Sequence, residues 1–401
     1  MKMIPVNSRE TRKAFLKLPA KLYQDDPHWV RPWDHEIEEV FDAKKNPFFS
    51  HGEAERWILK NDAGETIGRI AAFINQQEAY SFDQPTGGIG FFECINSRDA
   101  AFALFDQGKT WLEERGMEAM DGPINFGEKN KWWGLLVEGF RSPLYGMNYN
   151  PLYYQELFEA YGFQLYYKQF TFTRPIGPPL RPGFERVALR IYDNPDYSFR
   201  QYRKKEWQKY AMYFREIYNQ AWVNHEAFQP MDEEKALAIA RQLNPIFYED
   251  AAIYAFYKGQ PIAFFIMIPD INQVIRHLDG KFNWWAKLKF LYYLKTRACT
   301  KLYGTIYGVI PQFQRKGVEA AMVLHADVVL GKNTKSWFES VEIGWLGDFN
   351  PNMLKVAELI DAKLDKTFIT YRKLFDETRP FKRRPIIYHQ VNSVEKTATD
   401  L

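Results

Sequence analysis

The sequence predicts a mixed α/β chain in which one fold of alternating strands and helices occurs twice in tandem. Residues 54–75 (AERWILKNDAGETIGRIAAFIN) and 252–272 (AIYAFYKGQPIAFFIMIPDIN) each show two alternating apolar segments around a polar turn, which is typical of a β-hairpin. Further along, Asn150 and Asn350 each open an Asn-Pro stretch with helical periodicity that leads into an alternating aromatic strand. Paired segments in the same order indicate a duplicated plan.

The spacing between the paired landmarks is nearly constant, which supports the duplication. Each landmark in the first half has a counterpart 195 to 200 residues later, and the pairs are Gly64 and Gly259, Asn75 and Asn272, and Asn150 and Asn350. One such pair could arise by chance, whereas three pairs in one order at one spacing are better explained by two copies of a single fold.

A segment dense in Pro and Gly separates the two copies. Thr173–Glu185 reads TRPIGPPLRPGFE, a composition that disfavours helix and is typical of a linker. We therefore predict an N-terminal domain over 1–174, a linker over 175–185, a C-terminal domain over 186–380 and a flexible tail over 381–401.

The remaining elements follow from the periodicity of the apolar residues. The second half is predicted to open with a strand at Val187–Tyr192 and to continue with helices at Ser198–Val223 and Met231–Tyr248. After the hairpin come a strand at Thr305–Ile310, a helix from Val318 and a strand at Ser340–Trp345. In the first half, Ile89–Asn96 is predicted to be the strand that corresponds to Thr305–Ile310.

Composition and charge exclude several classes of protein. The net charge is only +3, with 53 Lys and Arg interleaved with 50 Asp and Glu, so no field suited to nucleic acid follows. No apolar run approaches the roughly 20 residues of a membrane span, and the N-terminus lacks an apolar signal core. Cys94 and Cys299 lie far apart and the seven His form no ligand pair, so we predict no metal and a reducing, cytoplasmic location.

The segment Gly308–Leu330 (GVIPQFQRKGVEAAMVLHADVVL) carries the strongest signal for a binding site. Here a predicted strand ends in a short loop of Gln314, Arg315, Lys316 and Gly317, and a predicted helix follows. The first amides of a helix lack intrahelical partners, and the helix dipole favours anions at that end. Gly317 has no Cβ to block a ligand, and its neighbours add donors and positive charge. The loop therefore predicts a phosphate site, although an ordinary strand-to-helix connection often has this composition.

The order of the elements, the Gln-x-x-Gly turn and the later Asn-helix-strand unit resemble the GNAT superfamily of acyl-CoA-dependent N-acyltransferases. The resemblance covers 186–375 and, by duplication, 1–174, and it implies two mostly antiparallel mixed sheets flanked by helices. It also implies acetyl-CoA or another acyl-CoA as co-substrate. The pyrophosphate would lie on the loop that contains Gln314 and Gly317, and the pantetheine arm along Tyr307–Ile310, in the fourth strand of the C-terminal copy. The implied binding residues are Val309, Ile310, Gln314, Arg315, Lys316, Gly317 and Val318. Glu319 departs from the family pattern, which has Gly or Ala at that place.

The same resemblance implies residues for catalysis. Glu342, in the fifth strand, would be the general base that removes a proton from the attacking ammonium, directly or through water. The alternative for Glu342 is an acid on the exposed face of a strand. Asn350 matches the Asn that opens the last helix of the family and is assigned to the coenzyme site, the alternative being a helix cap. Many members of the family have a Tyr in that helix, which protonates the departing thiolate. This helix lacks it, and Tyr371 in the next strand is the candidate substitute.

The first half lacks the glycine-containing turn, so we expect that it has lost coenzyme binding. Its strand Ile89–Asn96 leads into a helix opened by Ser97, with Asp99 in the first turn, where a carboxylate would repel a pyrophosphate. A long segment rich in Gly and aromatic residues follows and predicts the wall of an acceptor cleft. The candidate lining residues are Asn125, Trp132, Trp133 and Tyr149. The alternative is an interface between domains.

The stretch Lys281–Arg297 (KFNWWAKLKFLYYLKTR) interleaves bulky aromatic residues with Lys and Arg and has no helical counterpart in the first half. The commoner interpretation of such a stretch is a helix that covers its domain, with the Lys stems lying along apolar surface. The alternative is a contact with a membrane surface or an acyl chain.

These observations together predict an N-acyltransferase. The C-terminal copy would bind acyl-CoA, and the N-terminal copy would shape the cleft for a small-molecule or peptide amine, without a nucleic-acid partner. One alternative is a Fem-type aminoacyl transferase, whose donor is aminoacyl-tRNA. Another is a non-catalytic ligand-binding or interaction protein on a decayed tandem scaffold. The sequence leaves the acyl length, the acceptor and the oligomeric state open.

Overall fold

Strands and helices alternate along most of the chain. The computed structural model describes residues 1–81, 83–223, 229–331 and 335–386, so the end of the predicted tail lies outside the described residues. The strands are β1 (Lys2–Pro5), β2 (Gly52–Lys60), β3 (Thr66–Asn75), β4 (Thr86–Cys94), β5 (Ala119–Gly122), β6 (Leu135–Glu138), β7 (Gln164–Pro175), β8 (Tyr197–Gln201), β9 (Ala252–Tyr257), β10 (Gln260–Pro269), β11 (Lys301–Val309), β12 (Ser340–Gly347) and β13 (Lys363–Leu374). The helices are α1 (Arg9–Leu22), α2 (Asp34–Val40), α3 (Gln76–Ala79), α4 (Arg98–Glu113), α5 (Tyr154–Ala160), α6 (Pro182–Tyr192), α7 (Trp207–Ala221), α8 (Glu233–Leu243), α9 (Asn272–Ile275), α10 (Trp284–Lys295), α11 (Val318–Leu330) and α12 (Pro351–Leu359).

The described strands form one long mixed sheet. Its order is β1-β2-β3-β4-β5-β13-β7-β12-β11-β10-β9-β8, with β6 paired to β13 beside this path. Among the described strands, only the pairs β4–β5 and β11–β12 are parallel. The mixed, mostly antiparallel sheet flanked by helices confirms the predicted fold class.

The two halves exchange their last strands. The end of the first half, β7, pairs with β12 of the second half, for example through Thr173 and Glu342. The end of the chain, β13, inserts between β5 and β7 and pairs Tyr371 with Gly122. Each half therefore completes its part of the sheet with a strand that the other half supplies.

Both predicted hairpins are present, as β2–β3 and β9–β10. Gly64 and Gly259 occupy the two turns with φ angles of +80° and +84°, a backbone region that glycine adopts without steric cost. The predicted helix-strand units after Asn150 and Asn350 are α5–β7 and α12–β13. The local patterns on which the duplication was inferred therefore all form the expected elements.

The predicted strand at Val187–Tyr192 is wrong, because this segment belongs to helix α6. Pro182 stands in the first helical turn, which suits its fixed φ, and the apolar residues that follow recur at helical spacing. The apolar face packs on α11, where Ala188 is fully buried against Ala320. The first strand of this half is instead β8, which overlaps the start of the segment predicted as a helix from Ser198, and α7 begins only at Trp207.

Each half has its own apolar core beneath the common sheet. The first-half core gathers around α4 and includes Tyr371 of the exchanged strand, and the second-half core gathers around α11 and β9–β11. Among the described residues, no helix combines the length and the apolar character that a membrane crossing requires.

Candidate active site

Strands β11 and β12 separate just before the predicted coenzyme loop. They pair only from Lys301 to Gly304, whereas the opposite edge of β11 remains bonded to β10 as far as Val309. From Thr305 to Val309, the edge of β11 that faces β12 therefore has no strand partner in the described part of the chain. Val309 and the adjoining Ile310 were predicted to pair with the pantetheine arm, and the free edge is where such pairing would occur.

The loop after β11 is held in a tight conformation. The Gln314 side chain donates from Nε2 to the Val309 carbonyl at 2.9 Å, and Arg315 has a φ of +60°. Gly317, with a φ of +96°, stands at the N-cap of α11, where no side chain caps the helix. A Cβ added to Gly317 would lie 2.6 Å from Cγ1 of Val187 in α6. Backbone conformation and close packing thus both require glycine here.

The charges around this loop fit an anion only in part. Arg315 and Lys316 are exposed, and neither forms an ion pair with any residue that the structure describes. Glu319 turns back so that its Oε1 accepts a hydrogen bond from the Arg315 amide at 3.2 Å. The uncapped start of α11 and the two free cations suit a pyrophosphate. The Glu319 carboxylate, however, already accepts the hydrogen bond of one loop amide, that of Arg315.

Glu342 lies in the middle of the sheet and is fully buried. Its Oε1 accepts from Lys366 Nζ at 2.8 Å and from Thr171 Oγ1 at 2.8 Å, and its Oε2 pairs with Lys301 Nζ at 2.9 Å. The alternative of an acid on an exposed strand face is therefore wrong. Both oxygens of Glu342 therefore have cationic partners.

The structure places Tyr371 and Asn350 in positions that serve the fold. Tyr371 is buried in the first-half core, because β13 crosses into that half, and its hydroxyl donates to Glu159 Oε1 at 2.9 Å. Asn350 caps α12, its side chain accepting from the Met353 amide at 3.4 Å. The structure thus separates Tyr371 from the loop after β11, where its predicted partners lie.

The four predicted cleft residues line two separate cavities in the first half. Trp132 and Tyr149 line a cavity of about 80 Å³, which we call the Glu93 cavity. Asn125 and Trp133 line a cavity of about 60 Å³, which we call the Asn125 cavity. The side-chain oxygen of Asn125, Oδ1, is buried without a hydrogen-bond partner among the described residues.

Glu93, near the end of β4, is the functional candidate that the sequence analysis missed. Its Oε2 accepts from the hydroxyls of Tyr23 at 2.8 Å and Tyr154 at 2.9 Å, and Arg69 lies 3.4 Å from its Oε1. Burial raises the pKa of Glu93, an effect that the Arg69 charge opposes. The only sequence signal was a single acid within the apolar strand IGFFEC.

The Glu93 cavity adjoins the region where β12 leaves β11. Met147 lines this cavity, and its Cε would lie 3.1 Å from a Cβ added to Gly344 of β12. The same segment of the first half is bonded to the second half, because Asp270 accepts from the Tyr145 amide at 3.2 Å and Asn272 donates to the Pro143 carbonyl at 2.9 Å. This segment therefore forms an interface between the halves and also walls a cavity.

Two relatives resemble the chain along nearly its whole length. One is a bacterial ceramide synthase from Caulobacter vibrioides, 27% identical over 382 residues, which are 93% of this chain and 97% of the relative. The other is protein YghO from Escherichia coli K12, 26% identical over 373 residues, which are 90% and 92% of the two chains. No protein-family model matches the chain.

The solved structures show the fold. A tandem GNAT protein from the clavulanic acid biosynthesis pathway superposes with a TM-score of 0.53 at 11% identity, covering 95% of this chain and 99% of the other. The chain has the tandem GNAT fold, so the resemblance inferred from the Gln-x-x-Gly turn and the duplicated plan is confirmed at the level of fold.

Proposed function

We propose that this chain, which has the tandem GNAT fold, transfers an acyl group from acyl-CoA to the amino group of a long-chain amine. The observation that carries the proposal is its similarity to a bacterial ceramide synthase over 93% of the chain. A ceramide is an amide between a fatty acid and a long-chain amino alcohol. An enzyme with that acceptor class needs an acyl-CoA site and a site for the amine.

The acyl-CoA site is proposed at the second half. The free edge of β11 is suited to an extended arm, since from Thr305 to Val309 no described strand pairs with it. The uncapped start of α11, with Arg315 and Lys316 beside it, is suited to the pyrophosphate. Glu319 would have to release the Arg315 amide for that amide to bind phosphate.

The amine site is proposed at the Glu93 cavity in the first half, in line with the predicted role of Trp132 and Tyr149. An ammonium has no lone pair, so a base must take its proton before nitrogen attacks the acyl carbon. A carboxylate with a raised pKa is a better proton acceptor than an ordinary one, and burial raises the pKa of Glu93. Glu93 would accept the proton while the new N–C bond forms and the thiolate of coenzyme A leaves.

Glu342 stays the second candidate for the base. Both of its oxygens are already paired with lysines, and it lines neither cavity. Glu93→Gln and Glu342→Gln therefore form a matched pair of isosteric variants. We expect Glu93→Gln to keep the wild-type fold and to lower the transfer rate by about 100-fold or more, the usual share of a general base.

The test is an acylation assay with the purified full chain. Acetyl-CoA and palmitoyl-CoA would be offered with sphinganine, and the amide would be identified by mass spectrometry alongside release of the thiol. The proposal predicts an amide product with palmitoyl-CoA. Saturable coenzyme binding without any amide would instead favour the non-catalytic alternative.

The coenzyme loop needs its own variant. Arg315→Glu with Lys316→Glu reverses two exposed charges and leaves Gly317 intact. Loss of two charge-assisted contacts, each worth roughly 1.5–3 kcal/mol, would weaken coenzyme A binding by about 100-fold or more in calorimetry. Lys204→Glu with Lys205→Glu, also exposed in the second half, is the matched control. Equal affinities in the two double variants would contradict the assignment of this loop.

A further inference from the structure

Helix α10 presents its largest apolar side chains to solvent. Trp284, Trp285 and Tyr292 are 59%, 61% and 62% exposed, and Leu288 and Leu291 are 48% and 53% exposed. Single exposed apolar residues are ordinary on a protein surface. Five on one 12-residue helix form a continuous patch, and such patches mark interaction sites.

The charges of this segment are arranged around that patch. At about 3.6 residues per turn, the five apolar residues fall on one arc of the helix, and Lys287 and Lys289 stand at its two borders. Residues 281–297 contain five Lys and Arg and no Asp or Glu. Lys287, Lys289 and Lys295 form no ion pair within the described part of the chain.

The opposite face of α10 is fixed to the body of the protein. Ala286 is buried and, with Phe290, packs in a cluster that includes Trp33 and Ile271. Tyr293 stacks on His277 with ring centroids 4.5 Å apart. Through this inner face, α10 covers its domain, as the commoner interpretation of Lys281–Arg297 predicted. Because the inner face is anchored, the outer apolar face is held outward and does not fold back onto the core.

We propose that α10 docks this protein on the surface of a bilayer that contains anionic phospholipid. An apolar arc rich in Trp and Tyr is suited to the boundary between headgroups and acyl chains. Lysines on both borders of the arc would contact the phosphates, and the segment has no acid to oppose them. This charge complementarity favours an anionic lipid surface over a protein partner or a second copy of the chain.

The docking face lies next to the proposed amine site. A wide hollow just before α10 is lined by Asp34 and by Gly280–Asn283, and Asp34 also lines the Glu93 cavity. A long-chain amine dissolved in the bilayer would therefore approach the cavity from the side of Asp34. That link rests on the proposed function, whereas membrane docking by α10 does not.

The test is sedimentation of the full chain with vesicles, which needs no turnover. One set would contain phosphatidylcholine alone and the other about 30% phosphatidylglycerol, at two salt concentrations. Trp284→Ser with Trp285→Ser removes apolar area, and Lys287→Glu with Lys289→Glu reverses the border charges. Leu152→Ser (72% exposed) and Lys13→Glu with Lys17→Glu (exposed on α1) are the matched controls.

We expect the wild type and both controls to bind the anionic vesicles, with binding weakened by salt. Each α10 variant should lose about tenfold or more in partition coefficient while its circular dichroism stays that of the wild type. The proposal is overturned if the wild type sediments with neither vesicle, or if the α10 variants bind as the controls do. Concentration-dependent dimers that the same variants abolish, without vesicle binding, would overturn it in favour of an interface between copies.

Discussion

Replacing Glu342 by Gln tests whether this residue stabilises the fold or catalyses transfer. The substitution keeps the shape of the side chain but removes its charge from Lys366, which is fully buried, and from Lys301, which is 26% exposed. Removing one partner of a buried ion pair costs about 3–5 kcal/mol, because the other charge stays buried. Asp365 remains beside Lys366, so we expect a loss of about 3 kcal/mol in the free energy of unfolding, near the lower end of that range.

The loss would be measured by urea unfolding, followed by circular dichroism, with the slope compared between variants. Glu138→Gln is the matched control, since Glu138 also accepts from a threonine hydroxyl, that of Thr367 at 2.7 Å, but is exposed. We expect Glu138→Gln to stay within about 0.5 kcal/mol of the wild type, as surface substitutions usually do.

A double variant tests whether the loss of stability comes from the unpaired charge of Lys366 and not from the changed side chain at 342. Replacing Glu342 and Lys366 together by Met removes the fully buried ammonium and leaves only that of Lys301, which is 26% exposed, so the double variant should be more stable than Glu342→Gln alone. The reasoning is refuted if Glu342→Gln unfolds as the wild type does. If that variant also stops acyl transfer, Glu342 takes the role of base that we assign to Glu93.

Three further predictions follow from other parts of the structure. Residues 1–181 expressed alone should not give a folded domain by circular dichroism, whereas co-expression with 182–401 should, because each half lacks one strand without the other. Gly317→Ala should destabilise the chain by more than the roughly 1 kcal/mol expected for Gly64→Ala. Both glycines have a positive φ, but only at Gly317 would the added Cβ meet a neighbouring side chain. Equal losses in the free energy of unfolding in urea would contradict this prediction. Burial raises the pKa of Asp270 to about 6, so the folded chain retains a proton that the unfolded chain loses. Stability should therefore fall as pH rises from about 4 to about 6, by at most about 1.4 kcal/mol per pH unit, and Asp270→Asn should flatten that profile.

Much of the fold could be predicted because its signals are local. The hairpin at 54–75 is encoded by alternation and a turn glycine, and the helix after Asn350 by its cap and Pro. The prediction at Val187–Tyr192 was wrong because a short apolar run suits a strand as well as a helix. Packing of α6 on α11 decides between them, and α11 lies more than 120 residues further along the chain.

The candidate site was predictable where its geometry is local. Gly317 could be identified because an uncapped helix start with positive φ requires glycine, and Arg315 and Lys316 are its sequence neighbours. Glu93 could not be identified, because Tyr23 and Arg69, which surround it, come from distant elements. The aromatic segment of the first half predicted cleft residues, but not their division between two cavities.

The sequence alone indicated most of the elements, their repeated order and the loop that begins α11, because these depend on periodicity and backbone preferences within a few residues. Only the tertiary structure decided which strands become neighbours. Alternation shows which face of a strand is buried but carries no information about the strand beside it. The exchange of β7 and β13 therefore appears only in the folded chain. It brings Lys366 to Glu342 and places Tyr371 in the first-half core.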